Sequence, residues 1–268
     1  MRPYLKTAIE AALLAGKEIM NIYTRDFEVE FKEDTSPLTE ADRAANTVIV
    51  DLLQQTPYPA ISEESAQLPY ETRKHWETCW IVDPLDGTKE FVKKNDEFTV
   101  NIALVTNGIP VLGVILVPAS NLLFFAIVAE GTAYKVQLDK TETYSDLLFA
   151  KAKSIQPQLH PNKLRVVGSR SHMNAETLGF MEQLKSLGKE IEIVSKGSSL
   201  KLCLIAEGEA DVYPRFAPTM EWDTAAGHAI CKAVGVEVRD MTTGAEMLYN
   251  KENLLNNHFL VNNERRFT

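Results

Sequence analysis

Apolar residues recur at three- and four-residue steps along residues 4–23, through Leu5, Ala8, Ala12, Ala15, Ile19 and Ile22, and this spacing predicts an amphipathic helix packed on a core. Residues 27–32 alternate apolar and polar as a strand does, and Glu33-Asp34-Thr35-Ser36-Pro37 reads as a loop. A second helix is predicted from Thr39, with Ala45, Val48, Ile49, Leu52 and Leu53 on its apolar face. Thr39 and Asp42 stand at the spacing of a helix cap and a third-position acid, so Asp42 has a helix-starting role open to it. A short apolar approach, residues 59–62, leads into the adjacent carboxylates Glu63 and Glu64, a pair that in most chains is solvated surface. The run 79–82 predicts a buried strand. Beyond it, residues 98–105, 111–117, 122–128 and 132–136 are strand candidates joined by Asn107-Gly108, Pro118-Ala119 and Glu130-Gly131, which predicts an antiparallel meander.

The pattern then changes. Residues 138–161 are polar with scattered apolar positions, and this shift marks a boundary between two halves, 1–155 and 156–268. In the second half, strands are predicted at 164–168 and 191–194, a helix at 175–187, a helix opened by Gly197-Ser198-Ser199, a strand ending at Tyr213-Pro214-Arg215-Phe216 and a helix opened by Trp222-Asp223. Alternating strands and helices imply an α/β layer there, against an α+β first half.

Composition narrows the function classes. A chain of 268 residues with 45% hydrophobic content can bury a large core or two ordinary ones. A net charge of −9 argues against a general affinity for nucleic acid or anionic membrane, so a phosphate-bearing ligand would have to be met by local cations. The cysteines Cys79, Cys203 and Cys231 have no CxxC spacing, which fits buried thiols in a reducing compartment and no zinc site. No apolar run reaches the roughly eighteen residues of a membrane span, and the first residues lack a secretory pattern, so a cytoplasmic protein without a transmembrane segment is expected.

The candidate chemistry centres on Asp83-Pro84-Leu85-Asp86-Gly87-Thr88. Pro84 and Gly87 favour a turn after the strand, curling Asp83 and Asp86 toward one point with the Leu85 carbonyl. Asp-Pro and Asp-Gly are also common turn formers without further function. Carboxylates crowded there would repel by about 4 kcal/mol per pair at a separation of about 4 Å and an effective dielectric near 20, and a hard cation such as Mg²⁺ would relieve this. Downstream, the turn before the helix near Leu200 carries hydroxyls and Lys201, which suits either an anion site or an ordinary serine cap.

Taken together, Glu63, Asp83, Asp86, Asp223, Thr88 and Asp42 resemble the marks of the Mg²⁺-dependent, lithium-sensitive phosphatase superfamily that includes inositol monophosphatase and fructose-1,6-bisphosphatase: Glu-Glu, Asp-Pro-(Ile/Leu)-Asp-Gly-Thr and Trp-Asp. Within it, residues 36–42, 83–91, 98–101, 197–201, 213–216 and 222–228 are similar to the CysQ-type 3′(2′),5′-bisphosphate nucleotidases, and Ser65 stands where many of these carry an acid. The resemblance implies a layered αβαβα sugar-phosphatase fold with its site between the halves. It implies that Glu63, Asp83, the Leu85 carbonyl, Asp86 and Asp223 hold two or three Mg²⁺ ions, with Glu63 chosen over Glu64 by analogy alone, and that Thr88 and Asp42 orient the attacking water. The substrate is expected to meet Glu63, Leu85, Asp86, Gly87, Thr88 and Asp223 at the metal end, and His172, Ser198, Lys201 and Arg215 around its second phosphate and its sugar and base.

The implied activity is hydrolysis of the 3′-phosphate of 3′-phosphoadenosine 5′-phosphate, and of 3′-phosphoadenylyl sulfate, in sulfate assimilation and nucleotide recycling. Peripheral attachment at the cytoplasmic face of the inner membrane is a further expectation by family analogy, and the oligomeric state is left open. An inositol or sugar monophosphatase on the same fold would not need Lys201 with Arg215. A non-catalytic nucleotide sensor would carry a broken ligand set.

Overall fold

The computed structural model describes residues 1–31, 37–139, 146–158, 162–168, 174–185, 188 and 190–262. In chain order its first part contains helix α1 (Arg2–Tyr23), strands β1 (Val29–Phe31) and β2 (Pro37–Thr39), helix α2 (Glu40–Leu53), β3 (Ala60–Ser62), a short α3 (Tyr70–Arg73), β4 (Thr78–Asp86) and a short α4 (Thr88–Val92). The meander follows as β5 (Thr99–Thr106), β6 (Ile109–Val117), β7 (Leu122–Ile127) and β8 (Thr132–Gln137), then α5 (Asp146–Lys151) and β9 (Lys153–Ile155). The remainder is β10 (Lys163–Val167), α6 (Ala175–Lys185), β11 (Glu190–Val194), α7 (Leu200–Ala206), β12 (Val212–Arg215), α8 (Glu221–Ala233), β13 (Glu237–Asp240) and β14 (Phe259–Asn262).

Among the described residues β1 and β2 form a small antiparallel pair, and the other strands form two larger sheets between three helical layers. Strands β3 to β9 form one sheet in sequence order, with β3 parallel to β4 and every later neighbour antiparallel. The second sheet has the order β11-β10-β12-β14-β13. Alternation along the first sheet assigns its faces: Val100, Ile102 and Leu104 pack with α1 and α2, while Ala103 and Val105 pack with α7 and α8. The same inner core takes in Tyr213, Val238, Phe259 and Val261 from the second sheet, whose other face packs Val166 and Val212 on Met181 and Leu184 of α6. The order is therefore α1/α2, sheet, α7/α8, sheet, α6, a layered αβαβα arrangement.

The structure contains elements that the pattern along the chain does not reveal. The stretch 138–161 contains α5 and β9, and β9 extends the first sheet as a three-residue edge strand. The second sheet is mixed, because β14 runs antiparallel to both β12 and β13. Strands β2, β9, β13 and β14, which the pattern does not lead one to expect, have only three or four residues each, too few to carry a clear periodic signal. The helix expected to 187 is described to Lys185, and the loop expected at 33–37 falls mostly outside the described residues.

Candidate active site

The Asp-Pro-Leu-Asp segment is the end of β4 rather than a turn after it. Asp83 pairs with Asn101 and Asp86 with Thr99, so β4 carries one more residue than β5 across this interval. Such a bulge sharpens the local twist and re-aims side chains without ending the strand, which is how Pro84 is accommodated here. The chain turns at Gly87, whose φ of 92° lies in the left-handed region. Inside the bulge the Leu85 N–H donates to Asp83 Oδ1 at 3.0 Å, fixing that buried carboxylate.

Thr88 opens α4. Its hydroxyl lies 3.0 Å from Asp42 Oδ1 and 3.3 Å from the Leu85 carbonyl. The other oxygen of Asp42 accepts from the Thr39 N–H at 2.7 Å and the Thr39 hydroxyl at 2.6 Å, completing a capping box on α2. The two carboxylate oxygens thus differ in role, Oδ2 starting a helix and Oδ1 facing Thr88. Burial pushes the Asp42 carboxyl above its usual range, while the Thr39 bonds pull it back.

Three acids converge beside this pair. Glu63 leaves the end of β3, where its N–H donates to the Val82 carbonyl at 3.2 Å, and Asp223 sits in the first turn of α8 with Oδ2 accepting from the Met220 N–H at 2.9 Å. Glu63, Asp83 and Asp223 each bring a carboxylate oxygen to within 4.8 Å of the others. Of the adjacent pair, Glu63 joins this cluster, while the charge of Glu64 acts on Asp42. Burial and the neighbouring acids raise Asp83 well above the carboxylate range, and burial followed by Asp86 pushes Asp223 up to about 7. An all-oxygen donor set whose members resist ionising together fits a hard divalent cation. Asp86 stands at the edge of this cluster, its Oδ2 accepting from the Ser198 hydroxyl and the Ser199 N–H, both at 2.6 Å.

A cleft of about 500 Å³ opens from Asp86, Gly87 and Asp223 toward Ser198, Lys201 and Arg215. The Lys201 ammonium donates to the Ser198 carbonyl at 2.9 Å, and the Arg215 guanidinium donates to the Pro218 carbonyl at 3.0 Å. Arg215 Nε is buried and has no hydrogen-bond partner among the described residues. Ser199 occupies the cap position of α7 but does not cap it; its hydroxyl donates to Asn101 Oδ1 at 2.7 Å. His172 lies outside the described residues.

Sequence reasoning assigned no role to Thr99 and Asn101, which are buried and tie β5 to Ser199 and Asp86. The available signal was two polar residues at alternate positions of an otherwise apolar strand.

The profile of the inositol monophosphatase family matches residues 1–267. The chain belongs to the inositol monophosphatase family. This family is metal-dependent, and the Glu63, Asp83 and Asp223 cluster suits that property. The chain is 45% identical over 262 residues to the 3′(2′),5′-bisphosphate nucleotidase CysQ of Escherichia coli strain K12, covering 96% of this chain and 98% of the relative. The crystal structure of CysQ from Bacteroides thetaiotaomicron, a bacterial member of the inositol monophosphatase family, superposes with a TM-score of 0.88 at 48% identity over 98% of each chain. A more distant neighbour, the extragenic suppressor protein SuhB of Bartonella henselae, shares the fold with a TM-score of 0.75 at 23% identity, over 98% of this chain and 95% of that one.

Proposed function

We propose that this protein is a 3′(2′),5′-bisphosphate nucleotidase that hydrolyses the 3′-phosphate of 3′-phosphoadenosine 5′-phosphate to AMP and phosphate, with 3′-phosphoadenylyl sulfate as a second substrate and Mg²⁺ as its metal. The observation that carries this reading is a cleft lined by Asp86, by Asp223 of the oxygen-only acidic cluster, and by Lys201 and Arg215. The 45% identity to bisphosphate nucleotidases along nearly the whole chain supports it. A monophosphatase would leave Lys201 and Arg215 without an anion to meet, and a sensor would not need Thr88 held on Asp42.

Glu63, Asp83, the Leu85 carbonyl, Asp86 and Asp223 would hold two or three Mg²⁺ ions. When bound, such ions polarise the phosphoryl oxygens, lower the pKa of water and neutralise charge on the leaving oxygen. The protein's own groups do the positioning. Because Asp42 accepts the Thr88 O–H, the Thr88 oxygen keeps its lone pairs turned outward, where it can accept a hydrogen bond from the attacking water and fix that water's direction. Ser198, Lys201 and Arg215 would hold the phosphate that is not cleaved, with His172 toward the sugar and base, and the halves 1–155 and 156–268 would meet at this site. The free, buried Cys79, Cys203 and Cys231 support a cytoplasmic location. Among the described residues no helix is long and apolar enough to cross a membrane.

The test is product identification. Incubation of 3′-phosphoadenosine 5′-phosphate with the protein and Mg²⁺ should yield AMP and phosphate, with turnover abolished by EDTA and inhibited by lithium. Release of adenosine 3′-phosphate, or full turnover in EDTA, would contradict the proposal.

A further inference from the structure

Glu97 is neither one of the clustered acids nor one of the cleft's cations, yet it joins two segments that line the cleft. It leaves the loop between α4 and β5, and its Oε2 accepts from the Gly197 N–H at 2.7 Å while its Oε1 accepts from the Lys196 ammonium at 3.2 Å. The loop that presents Glu97 is itself fixed. The Tyr23 hydroxyl donates to Asp96 Oδ1 at 2.7 Å, the Lys94 ammonium donates to the Tyr23 carbonyl, and Asn95 Oδ1 accepts from the Glu97 N–H at 3.0 Å. Lys94 and Asp96 take positive φ values of 55° and 66°, a conformation that non-glycine residues keep only where surrounding contacts impose it.

The partner loop shows the complementary fit. A Cβ on Gly197 would come within 2.9 Å of the Glu97 carbonyl oxygen and 3.1 Å of Glu90 Cγ, so this approach is open to glycine alone. Ser198, next in the chain, has a φ of 53°, and it is Ser198 and Ser199 that donate to Asp86 Oδ2. One connected path therefore runs from Tyr23 through the 94–97 loop to Gly197 and on to the carboxylate of Asp86.

We infer that Glu97 is a positioning residue: its bond to the Gly197 N–H holds the strained 196–199 turn against Asp86 and thereby sets the orientation of that carboxylate. The consequence for metal binding rests on the proposed function, because it takes Asp86 as a Mg²⁺ ligand. The latch itself is a property of the metal-free protein. Partners of metal ligands commonly contribute about 10- to 100-fold in affinity, and Glu97 acts one bond further out through Ser198 and Ser199.

Amide hydrogen exchange on the metal-free, full-length protein, followed by Mg²⁺ titration, tests this. In E97A the Gly197 and Ser199 amides should lose protection by about ten- to a hundredfold, the weight of a charge-assisted hydrogen bond, and Mg²⁺ binding should weaken by about tenfold. E97D keeps the charge but is one methylene too short to reach Gly197 and should behave like E97A; E97Q keeps an acceptor at the right distance and should recover most of both readouts. K196A removes the ion pair alone and should leave the protection of Gly197 and Ser199 within about twofold of wild type, since exposed ion pairs contribute little. Wild-type protection in E97A or E97D would overturn the inference. So would loss of protection in K196A equal to that in E97D, because the ion pair would then be what holds the turn. If wild type bound no Mg²⁺, the metal reading would fall, while the exchange comparison would still decide the latch.

Discussion

The Thr88 hydroxyl donates to Asp42 Oδ1 across 3.0 Å, and the opposite oxygen of the same carboxylate caps α2 through the Thr39 N–H at 2.7 Å. A helix-capping acid and a water-orienting acid are therefore one residue with its two oxygens divided between the roles. The two roles separate by mutation. Thr88→Ala leaves the cap intact and should lower kcat by about 10²- to 10⁴-fold with little change in KM, as loss of a group that acts in the transition state does. Asp42→Asn keeps an oxygen that can accept from Thr39 and should cost no more than about 1 kcal/mol of stability, yet lose kcat to a similar extent. Normal kcat with a lowered Tm in Asp42→Asn would show that capping is the only role of this residue. Steady-state kinetics beside thermal melts decides between them.

The acid cluster should make metal-free stability fall as pH rises. Asp83 and Asp223 have folded pKa values raised above the ordinary carboxylate value, so the folded state retains protons that the unfolded chain releases. The stabilisation this confers is fully present below pH 3.8 and is lost as pH rises through the Asp223 value of about 7, with the Asp83 contribution lost in the same direction. Metal-free Tm should drop between about pH 5 and about pH 8, and Mg²⁺ should raise Tm far more at the higher pH. Asp83→Asn keeps the acceptor for Leu85 N–H and removes one charge. It should raise the metal-free Tm at about pH 8 by about 2–4 °C for each kcal/mol of repulsion relieved, while abolishing both the Mg²⁺ response and most turnover. A metal-free Tm that climbs over this range, or a mutant that keeps the Mg²⁺ shift, would contradict the account.

Recognition of the second phosphate should separate from chemistry. Lys201→Ala removes a charge-assisted contact of about 1.5–3 kcal/mol and should reduce kcat/KM for 3′-phosphoadenosine 5′-phosphate by about ten- to a hundredfold. Slow hydrolysis of a monophosphate, which lacks the partner anion, should hardly change. Arg215→Ala should show the same asymmetry, since Arg215 lines the same cleft as Lys201. Equal losses on both substrates in Lys201→Ala would place that lysine in the common phosphoryl site or in folding.

Much of this arrangement is legible in the chain, and the limits have physical causes. The apolar periodicity of α1 marks Leu5, Ala8, Ala12, Ala15, Ile19 and Ile22, all of which are buried, and alternation finds the meander because each of its strands pairs with a sequence neighbour. The Thr39 and Asp42 spacing reveals the capping box, a contact within one helical turn. What local pattern misses is set by distant partners. β14 is defined by pairing with β12 and β13, and Asp83 to Asp86 stays in strand because β5 continues to pair with it across a bulge. Thr99, Asn101 and Glu97 are separated from Ser199 and Gly197 by about a hundred residues, so their contacts exist only in the folded chain.

If one cleft hydrolyses a nucleotide carrying two phosphates, phosphate release from a substrate panel will show it. With Mg²⁺ present, kcat/KM for 3′-phosphoadenosine 5′-phosphate should exceed that for AMP, inositol 1-phosphate and fructose 1,6-bisphosphate by at least about ten- to a hundredfold, the weight of one charge-assisted contact, and all four activities should vanish in EDTA. A kcat/KM for inositol 1-phosphate equal to or greater than that for the nucleotide would contradict the account.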